Sequence, residues 1–153
     1  MSLEKVKSQI RFEIGQIENL LLEYDSIFNE TKLREPNRVE IAAIASVLHS
    51  FYNGIENIFV LVIKKIDGEN IKEASNWHKE VLIKASHSSV NRNGVISDEL
   101  RQSLSDYLAF RHFFRHSYTF LLSWDELKRL ANNLNNVWEN VKGELDLFLK
   151  NLE

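Results

Sequence analysis

Between Arg38 and Ile66 apolar residues recur every three or four positions on two overlapping registers. Ile41, Ala45, Leu48, Tyr52, Ile55, Phe59 and Val62 make one helical face, and Ile44, Phe51, Ile58 and Leu61 widen it well beyond a surface stripe. A helix with so broad an apolar arc has to be covered from several sides, so this segment is expected to be the centre of the fold. Its start is marked by Glu35-Pro36-Asn37: proline biases the preceding residue away from helix, and Asn37 with Glu40 can form a capping box. Asp67-Gly68 marks its end.

The flanking segments also carry helical spacing. Val6, Ile10, Ile14, Ile17, Leu21, Tyr24 and Phe28 predict a single amphipathic helix from Ser2 to about Asn29. A shorter helix is predicted around Trp77 to Ala85, followed by a polar stretch, Ser86 to Gly94, that reads as a flexible loop. Ser97 can cap the next helix, with Asp98 and Glu99 at the positive end of its dipole. Ser123 with Glu126 matches a capping box, and Leu127, Leu130, Leu134, Val137, Val141, Leu145 and Phe148 mark the last helix. The expected fold is therefore all-α: an antiparallel bundle of four substantial helices and one short one. A single domain over residues 1–153 accommodates it.

Five glycines, one proline and no cysteine argue against a turn-rich β architecture, a disulfide framework or a thiolate metal site, and they suit a reducing cytoplasm. Met1-Ser2-Leu3-Glu4-Lys5 leads directly into a charged periodic pattern and lacks the apolar core of a signal peptide. The longest uninterrupted apolar run, Ile58 to Ile63, stops at Lys64, far short of the roughly 20 residues a bilayer span needs. A cytoplasmic location with no membrane partner is expected. The formal charge of -3 offers no overall attraction to nucleic acid, so DNA binding is not expected and any RNA site must be local.

The segment from Phe110 to Tyr118 stands apart, with Arg111, His112, Arg115 and His116 close together on a helix otherwise built for packing. On an ideal helix Phe110, Phe113 and Phe114 share one arc, and the four polar side chains spread over about 140° on the other side, toward water or a ligand. Their chemistry suits metal-free RNA cleavage. A base must take the proton of the ribose 2′-OH, an acid must protonate the leaving 5′ oxygen, and cations must stabilise the phosphorane. Histidine, with an ordinary pKa of about 6.5, can serve as base or acid, and the forked arginine guanidinium suits the phosphate oxygens.

Arg111 and His116 project about 140° apart on a straight helix and cannot easily meet on one phosphate. Either the helix loosens near Ser117, or two copies of the segment face each other across a symmetric dimer; the dimer is favoured, because it also gathers more arginines in a protein of net negative charge. Two plainer readings stand beside this one. The four side chains could be ordinary solvated surface residues. A zinc site could use His112 and His116 at i and i+4, but the glutamate of H-E-x-x-H and an obvious third ligand are lacking, so no metal and no cofactor is expected.

Arg111, His116 and Tyr118 read as R-x4-H-x-Y, which resembles the motif of the HepT-like toxins of the HEPN superfamily. His112 fits as well, because nucleases of that superfamily commonly place Asn, Asp or His after the arginine. Ser50 to Phe59, Trp77-His78, and Ile96-Ser97 to Arg115-His116 look like successive blocks of one HepT-like subgroup, whereas Asn91-Arg92-Asn93-Gly94 fits it less well. The resemblance implies a four-to-five-helix HEPN bundle that is homodimeric and cleaves RNA without metal through Arg111 and His116. His112 and Arg115 would support them. It further implies a minimal nucleotidyltransferase antitoxin that transfers AMP to Tyr118.

The expected function is accordingly an endoribonuclease toxin. The alternatives are a non-catalytic helical module that binds nucleotide or presents a surface to a nucleotidyltransferase, and a plain dimeric interaction module. Trp77, Trp124 and Trp138 read as packing anchors, and His49 as a hydrogen-bonded core histidine. For Asn53 and Glu56 two readings remain open: buried residues that orient the motif from the neighbouring helix, or helix-surface pairs. His78 and His87 carry no assigned role.

Overall fold

A computed structural model describes residues 2–71 and 75–152. The elements are α1 (Leu3–Glu23), α2 (Asp25–Glu30), α3 (Arg38–Lys65), α4 (Trp77–Ala85), α5 (Asp98–His116) and α6 (Trp124–Asn151), with a 3-10 turn at Thr119–Leu121. Among the described residues there is no strand, only an isolated bridge between Ser89 and Arg92. The fold is all-α, as the periodicity requires.

Helix α3 is the axis, packed by α1, α4, α5 and α6. Phe51 stands between Tyr107 of α5 and Trp138 of α6, ring centroids 5.5 and 6.2 Å away, both in the edge-on geometry that aromatic quadrupoles favour. Burying one such side chain completely stabilises the fold by about 1.5–3 kcal/mol. By length and apolarity α3 as a whole could cross a bilayer, but most of its apolar residues are buried within the protein. Its capping box forms as expected: Glu40 N–H donates to Asn37 Oδ1 and Asn37 N–H to Glu40 Oε1, each at 2.9 Å. Arg34 grips the same carboxylate at 2.8 and 2.7 Å, and these bonds, with that from Asn37, hold the Glu40 carboxyl down at about 2.

Gly54 lets α1 approach α3 closely. A Cβ there would lie 2.7 Å from Cγ1 of Ile17, whose side chain is itself buried and is branched one bond away, at Cβ. Gly54→Ala is expected to destabilise the protein by about 1–3 kcal/mol through overpacking. Urea unfolding reads this directly, and an unchanged midpoint would mean that α1 has room to move away.

Three local expectations need correction. The first predicted helix breaks at Tyr24 (φ -109°, ψ 12°), where α2 starts on Asp25 and turns Phe28 into the core while Tyr24 remains exposed. The acidic first turn of α2 favours a fresh start there. The stretch from Ser86 to Gly94 is tied down: buried Arg92 makes two bonds to Asp67, at 2.9 and 2.8 Å, and also donates to the carbonyls of Lys84, His87 and Asn93. Ser123 caps α6 through its backbone only, without the side-chain bond of a capping box. Asp125 and Glu126 instead complement the helix dipole. Trp124 and Trp138 are buried and Trp77 half-buried, as packing anchors should be.

Candidate functional site

Helix α5 begins where Leu100 N–H donates to Ser97 Oγ at 3.2 Å, while the Ser97 N–H donates to Glu144 of α6 at 2.5 Å. Leu100, Leu104, Tyr107 and Phe110 bury its inner side, and the Tyr107 hydroxyl donates to the Leu130 carbonyl at 2.8 Å. These contacts set the rotation of the helix, and Arg111, which continues the spacing of Leu100, Leu104 and Tyr107, falls on the same inner face rather than toward water, as the three phenylalanines taken alone suggested. Arg111 lies inside, 8% exposed, with Nε donating to Asn53 Oδ1 of α3 at 2.9 Å. Phe113, expected among the packing aromatics, is exposed instead. Asn53 offers α5 a polar acceptor on α3, which accommodates the arginine on the inner side of the helix.

His112, Arg115 and His116 are exposed. The rings of His112 and His116 lie 4.6 Å apart, inclined at 60°, as the i, i+4 spacing predicts. Among the described residues no third ligand joins them to make a group that could hold a metal ion. Between Asp106 and Asp125 the chain has no carboxylate, so the charged side chains of this segment are all cationic despite the net charge of -3. Within one chain Arg111 and His116 are not in contact: the arginine is bonded to Asn53 and the histidine ring lies against His112.

Helix α5 ends at His116, because Ser117 is extended (φ -120°, ψ 157°). Tyr118 is therefore not on a continuing helix above Arg111, as the wheel placed it. It is nonetheless exposed, stacked on the equally exposed Phe120 with centroids 5.6 Å apart and ring planes 13° from parallel. Arg38, at the start of α3, donates to the carbonyls of Leu122, at 2.7 Å, and Phe120, which fixes the turn that follows Tyr118.

The family model described as HepT-like protein matches residues 43–152, from α3 to the end of α6. The chain belongs to the HepT-like family. No curated protein and no solved structure matches it. In this HepT-like chain the matched range holds all five residues read as functional, Arg111, His112, Arg115, His116 and Tyr118, and leaves α1 and α2 outside.

The residue that sequence reasoning undervalued in this HepT-like bundle is His49. Its Nδ1 lies 3.4 Å from Asn53 Nδ2 and its ring 5.0 Å from that of Phe114, so it borders the arginine rather than the general core. Burial first, then the charges of Arg111 and Arg115, push it below its ordinary value of 6.5, so it is neutral at pH 7. A signal was present: His49 and Asn53 are i, i+4 neighbours interrupting a broad apolar arc. Glu56, held open with Asn53, goes elsewhere, to His78 Nδ1 of α4 at 2.8 Å.

Proposed function

We propose that this HepT-like protein is a metal-independent endoribonuclease, the toxin of a cytoplasmic pair whose antitoxin is a minimal nucleotidyltransferase. The observation that carries this is Arg111, buried and without a carboxylate partner among the described residues, in a segment that also presents two adjacent histidines and no acidic side chain. Such a site attracts a phosphodiester and has groups able to move protons beside it.

In the reaction one histidine, His116 in the leading assignment, takes the proton of a ribose 2′-OH. The 2′ oxygen attacks phosphorus, charge builds on the phosphorane beside Arg111, and the P–O5′ bond breaks as a second histidine, the role open to His112, gives its proton to the leaving 5′ oxygen. The products are a 2′,3′-cyclic phosphate and a 5′-hydroxyl. His112 and Arg115 assist. Because Arg111 and His116 are apart within one chain, a two-fold homodimer supplies the composite cleft. Sedimentation should show a dimer, and a strictly monomeric active enzyme would remove the composite site.

The decisive assay is incubation of the purified protein with RNA in EDTA. Cleavage with cyclic-phosphate ends is the expected result, and intact RNA at high enzyme concentration would overturn the reading.

The same reading assigns Tyr118 as the AMP acceptor, and its exposure supports this. An AMP group there would bring negative charge and bulk to a cationic surface and obstruct RNA. Tyr118→Phe should keep RNA cleavage within a few-fold of wild type and lose all silencing by the nucleotidyltransferase with ATP. An adduct found by mass spectrometry on another residue would refute the assignment.

A further inference from the structure

We propose that Asn53 is a positioning residue that holds Arg111 through a neutral acceptor, so that the guanidinium keeps its full charge for a phosphate, and that His49 fixes the orientation of the Asn53 amide. The proposal rests on the phosphodiester reading of the same site and names two residues of α3 as parts of it.

A buried arginine ordinarily has a carboxylate partner, because an uncompensated charge away from water is costly. Arg111 departs from this. Among the described residues its one side-chain bond runs from Nε to an amide oxygen, and no carboxylate pairs with it. Nor do its terminal nitrogens appear among the enclosed atoms without partners, so they reach the surface. The bond to Asn53 thus orients the guanidinium plane without neutralising it and leaves the forked end open to an anion.

The amide has one workable orientation. Nε–H of Arg111 can only donate, so Oδ1 must face it, and Nδ2 then faces His49 Nδ1 at 3.4 Å. That nitrogen can accept only while His49 is neutral with its proton on Nε2. Protonated His49 would set a donor against Nδ2 and a second cation beside Arg111. Burial and the neighbouring arginine charges maintain the neutral form, and the ring is held against Phe114. Among the described residues His49 Nε2 is buried without a partner, a cost borne by a residue whose other nitrogen has a definite task.

The test is Asn53→Asp, which preserves shape and strengthens the grip on Arg111 while cancelling its charge. Melting temperatures are measured with and without inorganic phosphate, and KM and kcat with a short single-stranded RNA. The variant is expected to melt at or above the wild-type temperature, to lose the stabilisation that phosphate gives wild type, and to raise KM about tenfold or more. Asn53→Ser, which keeps a shorter neutral acceptor, should retain part of the phosphate response even if the aspartate variant folds poorly. A purely structural asparagine predicts that Asn53→Asp binds phosphate and cuts RNA at least as well as wild type, and that result would overturn the proposal. If phosphate stabilises wild type but not the Asp variant while no RNA is cut, the receptor stands and the nuclease reading falls. Equal cleavage by both proteins would do the reverse.

Discussion

His116→Ala is expected to slow RNA cleavage by about 10²–10⁴, the usual contribution of a positioned general acid or base. The loss should come with almost no change in stability. His116 is exposed at the last position of α5, and its ring contact is with His112 alone, so truncation leaves no cavity and no unpaired buried group. Single-turnover cleavage beside a melting curve separates the two effects. A rate within a few-fold of wild type would transfer the proton to His112, whose ring is 4.6 Å away.

Arg111→Lys should cost about 10² in rate although the charge is retained, comparable to removing one transition-state donor. The structure gives a reason stronger than the general preference of phosphate for a fork. On the proposed reading Arg111 has two tasks on different nitrogens: Nε is bonded to Asn53, and the terminal nitrogens would serve phosphate oxygens. A lysine has one nitrogen, which cannot lie against α3 and also face the cleft. A lysine variant that cuts RNA at the wild-type rate would reduce Arg111 to a diffuse electrostatic contributor.

What was legible in the sequence depended on the distance over which each feature is decided. The course of α3, its capping box and the start of α5 follow from neighbours within a turn or two, and they form as expected. The inward turn of Arg111 and outward turn of Phe113 were legible too, because Arg111 continues the Leu100, Leu104, Tyr107 spacing and Phe113 lies opposite it, but the type of each residue argued against its place on the wheel. What the spacing could not show is the partner that accommodates the arginine there, Asn53, 58 positions earlier in the chain. The same holds for Arg92, whose partner Asp67 is 25 positions away and converts a loop of Ser, Asn and Gly into a fixed segment. The break at Tyr24 and the end of α5 at His116 are local, but ordinary spacing rules tolerate continuation through both. Family resemblance supplied the motif. It did not supply His49, because the role of that residue exists only in relation to Arg111 and Asn53.

The anchoring of the turn after Tyr118 has one more consequence. Helix α5 fixes the chain just before this tyrosine, and Arg38 fixes it just after, by bonds to the carbonyls of Leu122 and Phe120. The ring is thus displayed on a short span tethered at both ends, already stacked on Phe120. If Tyr118 is modified as proposed, the modifying enzyme would meet a prearranged target and have little ordering entropy to overcome on docking. Recognition can then depend on the shape of a rigid knob rather than on a local peptide sequence, so a cognate modifying enzyme would act on the folded protein and ignore a peptide spanning the same residues.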